Sequence, residues 1–202
     1  MIRTILAAAL AAAISVPAFA QAPPAAAPAP KADLVPVAIQ TEKGRIVIAL
    51  DRGRAPLTTA NFLAYVESGK FDGESFYRAM PYGAGGLIQG GIRSDARKLD
   101  PPVAHEPASK TGISHKAGTI SMANFGPGTA RADFFILTTD IPAFDESFAA
   151  FGQVVEGMDV VKAILAAPVS PTAGEGPMKG QMLEPPVKIV KAERVPEQAN
   201  AR

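Results

Sequence analysis

Apolar and polar positions alternate with a period of two over Val37, Ile39 and Thr41. The same period returns at Ile46, Ile48 and Leu50, after Glu42-Lys43-Gly44. Successive side chains of a strand point to opposite faces, so this pattern predicts a hairpin with one buried face. The period then changes. Pro56, whose missing N–H costs nothing in a first turn, opens a predicted helix. Its stripe is Leu57, Ala60, Leu63 and Ala64, widened by Phe62 and Val66, and Gly69 closes it. Short apolar pieces follow between glycines, at residues 75–80 and at Leu87-Ile88. Residues 118–123, 133–139 and 148–155 read as further strands. Gly157 precedes a second helix with Val160, Val161, Ile164 and Leu165 on one face, stopped by Pro168. Residues 170–180 are a Gly/Pro loop, and 187–190 a last strand. Many short strands with two helices predict a β-sandwich or a β-barrel capped by helices, and the pattern alone does not choose between them. Strand–helix alternation is too sparse for a doubly wound sheet.

The two ends read differently from the middle. Residues 1–20 carry Arg3, an uncharged apolar run over 5–16, and Ala18-Phe19-Ala20, the arrangement of a cleavable secretory signal. The run is short for a hydrocarbon core of about 30 Å, so cleavage rather than anchoring is expected, with no membrane span afterwards. The predicted location is the periplasm, with full secretion as the other destination. Residues 21–36 form an Ala/Pro-rich linker, five of whose sixteen residues are Pro. The folded domain is expected over 37–195 and a polar tail over 196–202. Nothing in the chain suggests other than a monomer.

Composition removes whole classes of chemistry. There is no Cys, hence no disulfide framework, thiolate metal site or cysteine nucleophile. A net charge of +1 argues against nucleic acid as partner. The glycine-rich stretch 83–91 lacks a following Lys-Ser/Thr, so it is no phosphate loop, and there is no Gly-x-Ser-x-Gly elbow. His105 and His115 lie ten apart without ligand-like spacing and read as surface-loop histidines. Asp140 and Asp145 sit near turn residues and read as solvated or capping.

What remains is an arginine in an apolar setting, Phe76-Tyr77-Arg78-Ala79-Met80-Pro81. It is followed in order by Gln89-Gly90-Gly91, Ser121-Met122-Ala123-Asn124 with Gly126-Pro127, and Phe134-Phe135-Ile136. Ala55-Pro56-x-Thr58-x-Ala60-Asn61-Phe62 precedes them, and Phe151-Gly152-x-Val154-x-x-Gly157-Met158 comes after. These ordered motifs resemble those of the cyclophilins, the peptidyl-prolyl cis/trans isomerases, and most of all their short exported bacterial members. The resemblance runs from about residue 37 to 195.

It implies a closed eight-stranded antiparallel barrel with a helix at each end, and a groove on its outer face that needs no metal and no cofactor. The expected substrates are X–Pro segments of exported proteins. Arg78 matches the family's catalytic Arg, and Gln89 the pocket Gln that helps place it. Asn124 matches the residue whose main chain pairs with substrate, with Ala123 beside it. Phe135 matches the floor of the proline pocket and Phe144 a wall.

The chain also departs from the family pattern. The stretch between Arg78 and Gln89 is longer by about three residues, read as an altered loop at 82–86. The usual Phe-Met pair before the Gln becomes Gly86-Leu87, so Tyr82 is the candidate replacement for the lost aromatic wall. Asp133 stands where a Gln is common, and is expected to pair with Arg78 or Arg131 and hold the guanidinium. Ala143 occupies a Trp position that often contacts cyclosporin, and Phe148 that of the pocket His. A smaller, more apolar, reshaped pocket is expected. The altered loop also motivates a second reading, a binding module for Pro-containing segments with little turnover.

Overall fold

The computed structural model describes residues 31–196. The expected signal segment lies outside the described residues, as do most of the linker and nearly all of the polar tail.

The first hairpin forms where alternation predicts it. β1 (Leu34–Thr41) pairs antiparallel with β2 (Gly44–Asp51) across a two-residue turn. Thr41 Oγ1 closes the turn, donating to the Gly44 carbonyl at 2.8 Å. β1 begins three residues earlier than composition suggests. Residues 34–36, assigned above to the linker, pair with residues 49–51, and Val35 is buried.

The remaining strands are β3 (Ser75–Tyr82), β4 (Gly85–Gly91), β5 (Thr119–Met122), β6 (Phe134–Leu137), β7 (Ala149–Glu156), the two-residue β8 (Val169–Ser170) and β9 (Met182–Arg194). They run in the order β1-β2-β7-β5-β6-β4-β3-β9, and β9 pairs back with β1. That closes an eight-stranded antiparallel barrel, with β8 as an outlier on β9. Closure removes free edges and decides between sandwich and barrel. β9 is much longer than the stretch 187–190 read from alternation, because its Glu184-Pro185-Pro186 segment breaks the sequence pattern without leaving the strand.

Two helices of eight residues or more pack on the barrel. α1 (Pro56–Glu67) buries Thr58, Thr59, Phe62, Leu63, Tyr65 and Val66. The predicted stripe is therefore corrected: Leu57, Ala60 and Ala64 face outward. What the pattern missed is polar. Buried Glu106 reaches the first turn and accepts from Thr58 N at 2.8 Å and Thr58 Oγ1 at 2.6 Å. A carboxylate there satisfies orphan donors and faces the positive end of the helix dipole, which draws Thr58 inward. A single helical turn, α2 (Ala108–Thr111), lies in the long β4–β5 connection. α3 (Met158–Leu165) buries Val160, Val161 and Ile164, as its pattern predicts.

The barrel interior is aromatic. Phe62 packs its ring 5.2 Å from Phe134 and 5.0 Å from Phe71. Phe76 and Phe134 meet edge to face at 5.6 Å. A second, smaller apolar cluster of Leu87, Phe135, Leu137 and Ile141 is separate from this core.

Candidate active site

A bulge builds the site. Along β3 the register slips between Phe76 and Arg78 against both neighbours, so Phe76 faces Gly90 while Arg78 faces Gln89. Tyr77 is the extra residue. Phe76 and Ala79 both reach the core, so the bulge leaves Tyr77 and Arg78 side by side on the outer face. Re-aiming a side chain in this way is what a β-bulge does.

The stretch beyond Arg78 is not a loop. Residues 75–82 and 85–91 form one ladder, with Tyr82 opposite Gly85 across a two-residue turn. Gly86 permits this: at φ +153 a Cβ there would lie 2.1 Å from the Met80 carbonyl oxygen. Tyr82 consequently sits at the hairpin tip, half exposed, and does not line the pocket. It does not replace the aromatic wall. Met80 and Leu87 do, from the outer face of the hairpin.

The pocket has a volume of about 180 Å³. Arg78, Met80, Leu87 and Gln89 line it from the hairpin, Phe135 from β6, Ala123 and Asn124 from the loop after β5, with Phe144, Phe148 and Met178. Phe135 forms the floor, its ring 5.3 Å from Phe148 and 5.8 Å from Phe144, both edge to face. All predicted site residues except Tyr82 and Asp133 meet here. Met80 and Met178 were not foreseen.

Arg78 is gripped from two sides. Nη1 donates to Gln89 Oε1 at 2.8 Å, while Nε and Nη2 both donate to Gln181 Oε1, at 2.9 and 2.7 Å. Nη2 also lies 3.3 Å from Met80 Sδ. Partial burial lowers the Arg78 pKa from its ordinary value, yet a guanidinium starts so high that the charge persists at neutral pH. Gln181 immediately precedes β9, just beyond the loop read over 170–180, and no signal in the sequence marks it.

Asp133 does not pair with Arg78 or Arg131. Its Oδ1 accepts the Tyr77 hydroxyl at 3.0 Å. Arg131 instead donates to the carbonyls of Asp100 and Leu99. Asp133 lines a second cavity of about 440 Å³ that shares Gln89, Ala123, Asn124 and Met178 with the first. Burial raises the Asp133 pKa against the lowering pull of Tyr77 and Arg93. Burial and the neighbouring Asp133 likewise push the Tyr77 phenol up. The Arg93 guanidinium lies over the Tyr77 ring, 4.6 Å from its centroid.

His115 is also corrected. It is fully buried, not a surface histidine, and it contacts the pocket floor. Nδ1 lies 2.9 Å from Asp145 Oδ1 and Nε2 2.9 Å from Ser121 Oγ. A carboxylate only accepts, so Nδ1 carries the proton and Nε2 accepts from Ser121. The arrangement copies the geometry of a hydrolytic triad. It has no access, however: the Ser121 side chain is wholly buried. Its place is structural, with the His115 ring stacked 6.1 Å from Phe135. Burial lowers the His115 pKa, opposed by Asp145, so the ring is neutral. His105 is half-buried, with Nε2 2.9 Å from the Glu146 carbonyl oxygen.

Sequence and fold comparisons place this closed barrel among known proteins. Residues 36–194 match the family described as cyclophilin type peptidyl-prolyl cis-trans isomerase/CLD. The chain belongs to this family. It is 37% identical over 137 residues to peptidyl-prolyl cis-trans isomerase A of Dickeya dadantii, covering 63% of this chain and 70% of that protein. It is 32% identical to a peptidyl-prolyl cis-trans isomerase of Acinetobacter baylyi, over 76% of this chain and 82% of the relative. Its fold superposes on a cyclophilin type isomerase of Cryptosporidium parvum with a TM-score of 0.69 at 21% identity, covering 82% of this chain and 99% of that one. This cyclophilin is thus a peptidyl-prolyl cis-trans isomerase with an eight-stranded barrel and two principal helices.

Proposed function

We propose that Arg78 drives isomerisation by donating a hydrogen bond to the proline nitrogen, and that the substrates are X–Pro segments of proteins exported along with this enzyme. The barrier to rotation is roughly 18–20 kcal/mol, because resonance gives the C–N bond double-bond character. As the bond twists, resonance is lost and the nitrogen regains its lone pair. A donor aimed there stabilises the twisted form more than either planar form, which is the condition for catalysis. No proton leaves and no covalent bond forms.

The observation that carries this reading is the double grip on Arg78. Four of its five N–H groups are engaged by Gln89, Gln181 and Met80. The guanidinium is held in place before substrate arrives, leaving one N–H on Nη1 for the reaction. Preorganised donors cost little reorganisation during the chemical step. The apolar walls and the Phe135 floor suit a proline ring. The Asn124 side chain is committed to Ser147 O and Gly126 N, so its main chain is the part that meets a peptide. A cyclophilin type isomerase of Cryptosporidium parvum has been solved with the dipeptide Ala-Pro, at a TM-score of 0.67 to this chain.

The same reading takes the enzyme as a monomer in the periplasm, where it shortens proline-limited folding steps that last tens of seconds uncatalysed. Retention of a gripped Arg78, and a regular hairpin at 82–86, leave the binding-module alternative without its motivation. Refolding of an exported, proline-limited protein tests the proposal. The mature enzyme should speed the slow phase and Arg78→Ala should not; equal acceleration by both contradicts it. Cell fractionation should find the enzyme in the periplasm, and recovery from the cytoplasm contradicts that location. With Ala143 exposed where the family often has Trp, cyclosporin should bind weakly, and a sub-micromolar Kd by calorimetry contradicts the reshaped pocket.

A further inference from the structure

Four side chains form a line from the small pocket into the larger cavity. Arg78 Nη1 donates to Gln89 Oε1 at 2.8 Å. Gln89 Nε2 donates to the Tyr77 hydroxyl oxygen at 2.7 Å. The Tyr77 hydroxyl donates to Asp133 Oδ1 at 3.0 Å. Only the first of these links touches the proposed reaction centre. The other two reach away from it, and nothing in the isomerisation uses them directly.

The line has a direction, and Asp133 sets it. An ionised carboxylate accepts hydrogen bonds and cannot donate. Tyr77 must therefore spend its one proton on Asp133. Its oxygen can then only accept, and what it accepts is an N–H from Gln89. An amide has one donating end and one accepting end. Committing Nε2 to Tyr77 leaves Oε1 for Arg78. Turned the other way, Gln89 would set an NH₂ group against the guanidinium, donor against donor. The orientation of one amide thus decides whether Arg78 has an acceptor on its Gln89 side.

Three further features show that the line is built. The bulge at Tyr77 brings this side chain onto the outer face next to Arg78. Gly91 makes room for Asp133: at φ +148, a Cβ there would lie 2.3 Å from Asp133 Oδ1. The Arg93 guanidinium lies over the Tyr77 ring, 4.6 Å from its centroid, and holds one face of it.

We propose that Tyr77 and Asp133 are positioning residues, which polarise the hydrogen-bond line so that Gln89 presents its oxygen to Arg78 and holds the guanidinium in its reactive pose. This rests on the reading of Arg78 as donor to the proline nitrogen. Neither residue lines the pocket that takes the proline ring. Their removal should lower kcat and leave peptide affinity largely intact.

The test uses the mature enzyme, a short Ala-Pro-Phe peptide, and the variants Tyr77→Phe, Asp133→Asn, their double variant, and Arg78→Ala. Steady-state rates give kcat and KM, and titration gives the peptide Kd. Tyr77→Phe should lower kcat about tenfold, the worth of one hydrogen bond to a charged network, with KM and Kd within twofold. The Gln89 side-chain NH₂ resonances should shift in the same variant, although the peptide is absent. Asp133→Asn should lower kcat less, because its amide oxygen still accepts from Tyr77. The double variant should be no slower than Tyr77→Phe alone, since contacts acting as one line are not additive. Tyr77→Phe with wild-type kcat overturns the inference, as do losses that multiply in the double variant. Should Tyr77→Phe fail to fold, unchanged kcat in Asp133→Asn together with an unmoved Gln89 amide resonance overturns it. Arg78→Ala separates the two levels: if it keeps the wild-type rate, the donor reading falls. If it is inactive while Tyr77→Phe is unimpaired, only the positioning inference falls.

Discussion

Phe134 and Phe135 are neighbours on β6, equally apolar and almost equally buried, yet they belong to two different regions. Phe134 points into the barrel, where Phe62, Phe71 and Phe76 all turn edges or faces to it. Phe135 points outward and floors the pocket, with Phe144 and Phe148 around it and His115 stacked alongside. The interior is apolar on every side. The groove has an apolar floor, but charge on its rim and a polar buttress of Ser121, His115 and Asp145 beside it. The difference separates two jobs. The interior supplies stability through volume filled. The groove gives up some of that packing to hold an open, shaped cavity next to one fixed cation.

The largest effect should come from breaking the interior. Phe134→Ala should lower the unfolding free energy by about 3–5 kcal/mol, the usual range for such truncations, as read by denaturant titration. Phe135→Ala should cost clearly less stability, because the space it leaves opens to solvent. It should instead raise KM about 10- to 100-fold, matching roughly 1.5–3 kcal/mol of lost apolar contact with the proline ring. Equal stability losses in the two variants would erase the distinction drawn here.

Gln181→Ala should come next. It removes the acceptor shared by Arg78 Nε and Nη2, and kcat should fall about tenfold. Its melting temperature should barely move, since Gln181 is only partly buried.

The smallest effect is on pH dependence. The His115 pKa is lowered in the fold, chiefly by burial. An unfolded His titrates near about 6.5, so below that pH the unfolded chain binds the proton more readily than the native one. Stability should therefore be complete above the unfolded His pKa and decline as pH falls from there through the lower native value. An NMR titration should show the His115 ring taking up its proton only below the pH at which a free imidazole does. Protonation at or above the ordinary His value would contradict a buried, neutral His115.

Much of this was legible in the sequence, for definite reasons. Strands and α3 betray themselves by period, because alternation and a 3.6-residue stripe reflect burial directly. The pocket residues Arg78, Gln89, Ala123, Asn124 and Phe135 were found through ordered motifs, and Phe144 and Phe148 through their positions in the family resemblance. What stayed hidden depended on tertiary placement. α1 reads as a Leu/Ala stripe until Glu106, 48 residues away from Thr58, pulls the Thr face inward. A bulge leaves no periodic trace, so the outward turn of Tyr77 beside Arg78 could not be read. The extra residues after Arg78 read as a loop because Gly83 to Gly86 signals a break, whereas the ladder simply extends around the turn. Gln181 lies in a segment of Gly, Pro and polar residues where nothing distinguishes one glutamine position from its surroundings.

Arg78, pinned by Gln89 and Gln181, is the donor proposed to lower the rotation barrier. The most direct test is NMR exchange spectroscopy on an Ala-Pro-Phe peptide, run with the wild type and with Arg78→Ala at matched saturation. Wild-type enzyme should speed cis–trans exchange strongly. Arg78→Ala should still bind the peptide, because Phe135 and the apolar walls remain, while the acceleration falls by about 10²–10³-fold, the range for losing one preorganised donor at a reaction centre. Exchange that persists at the wild-type rate in Arg78→Ala would contradict the claim.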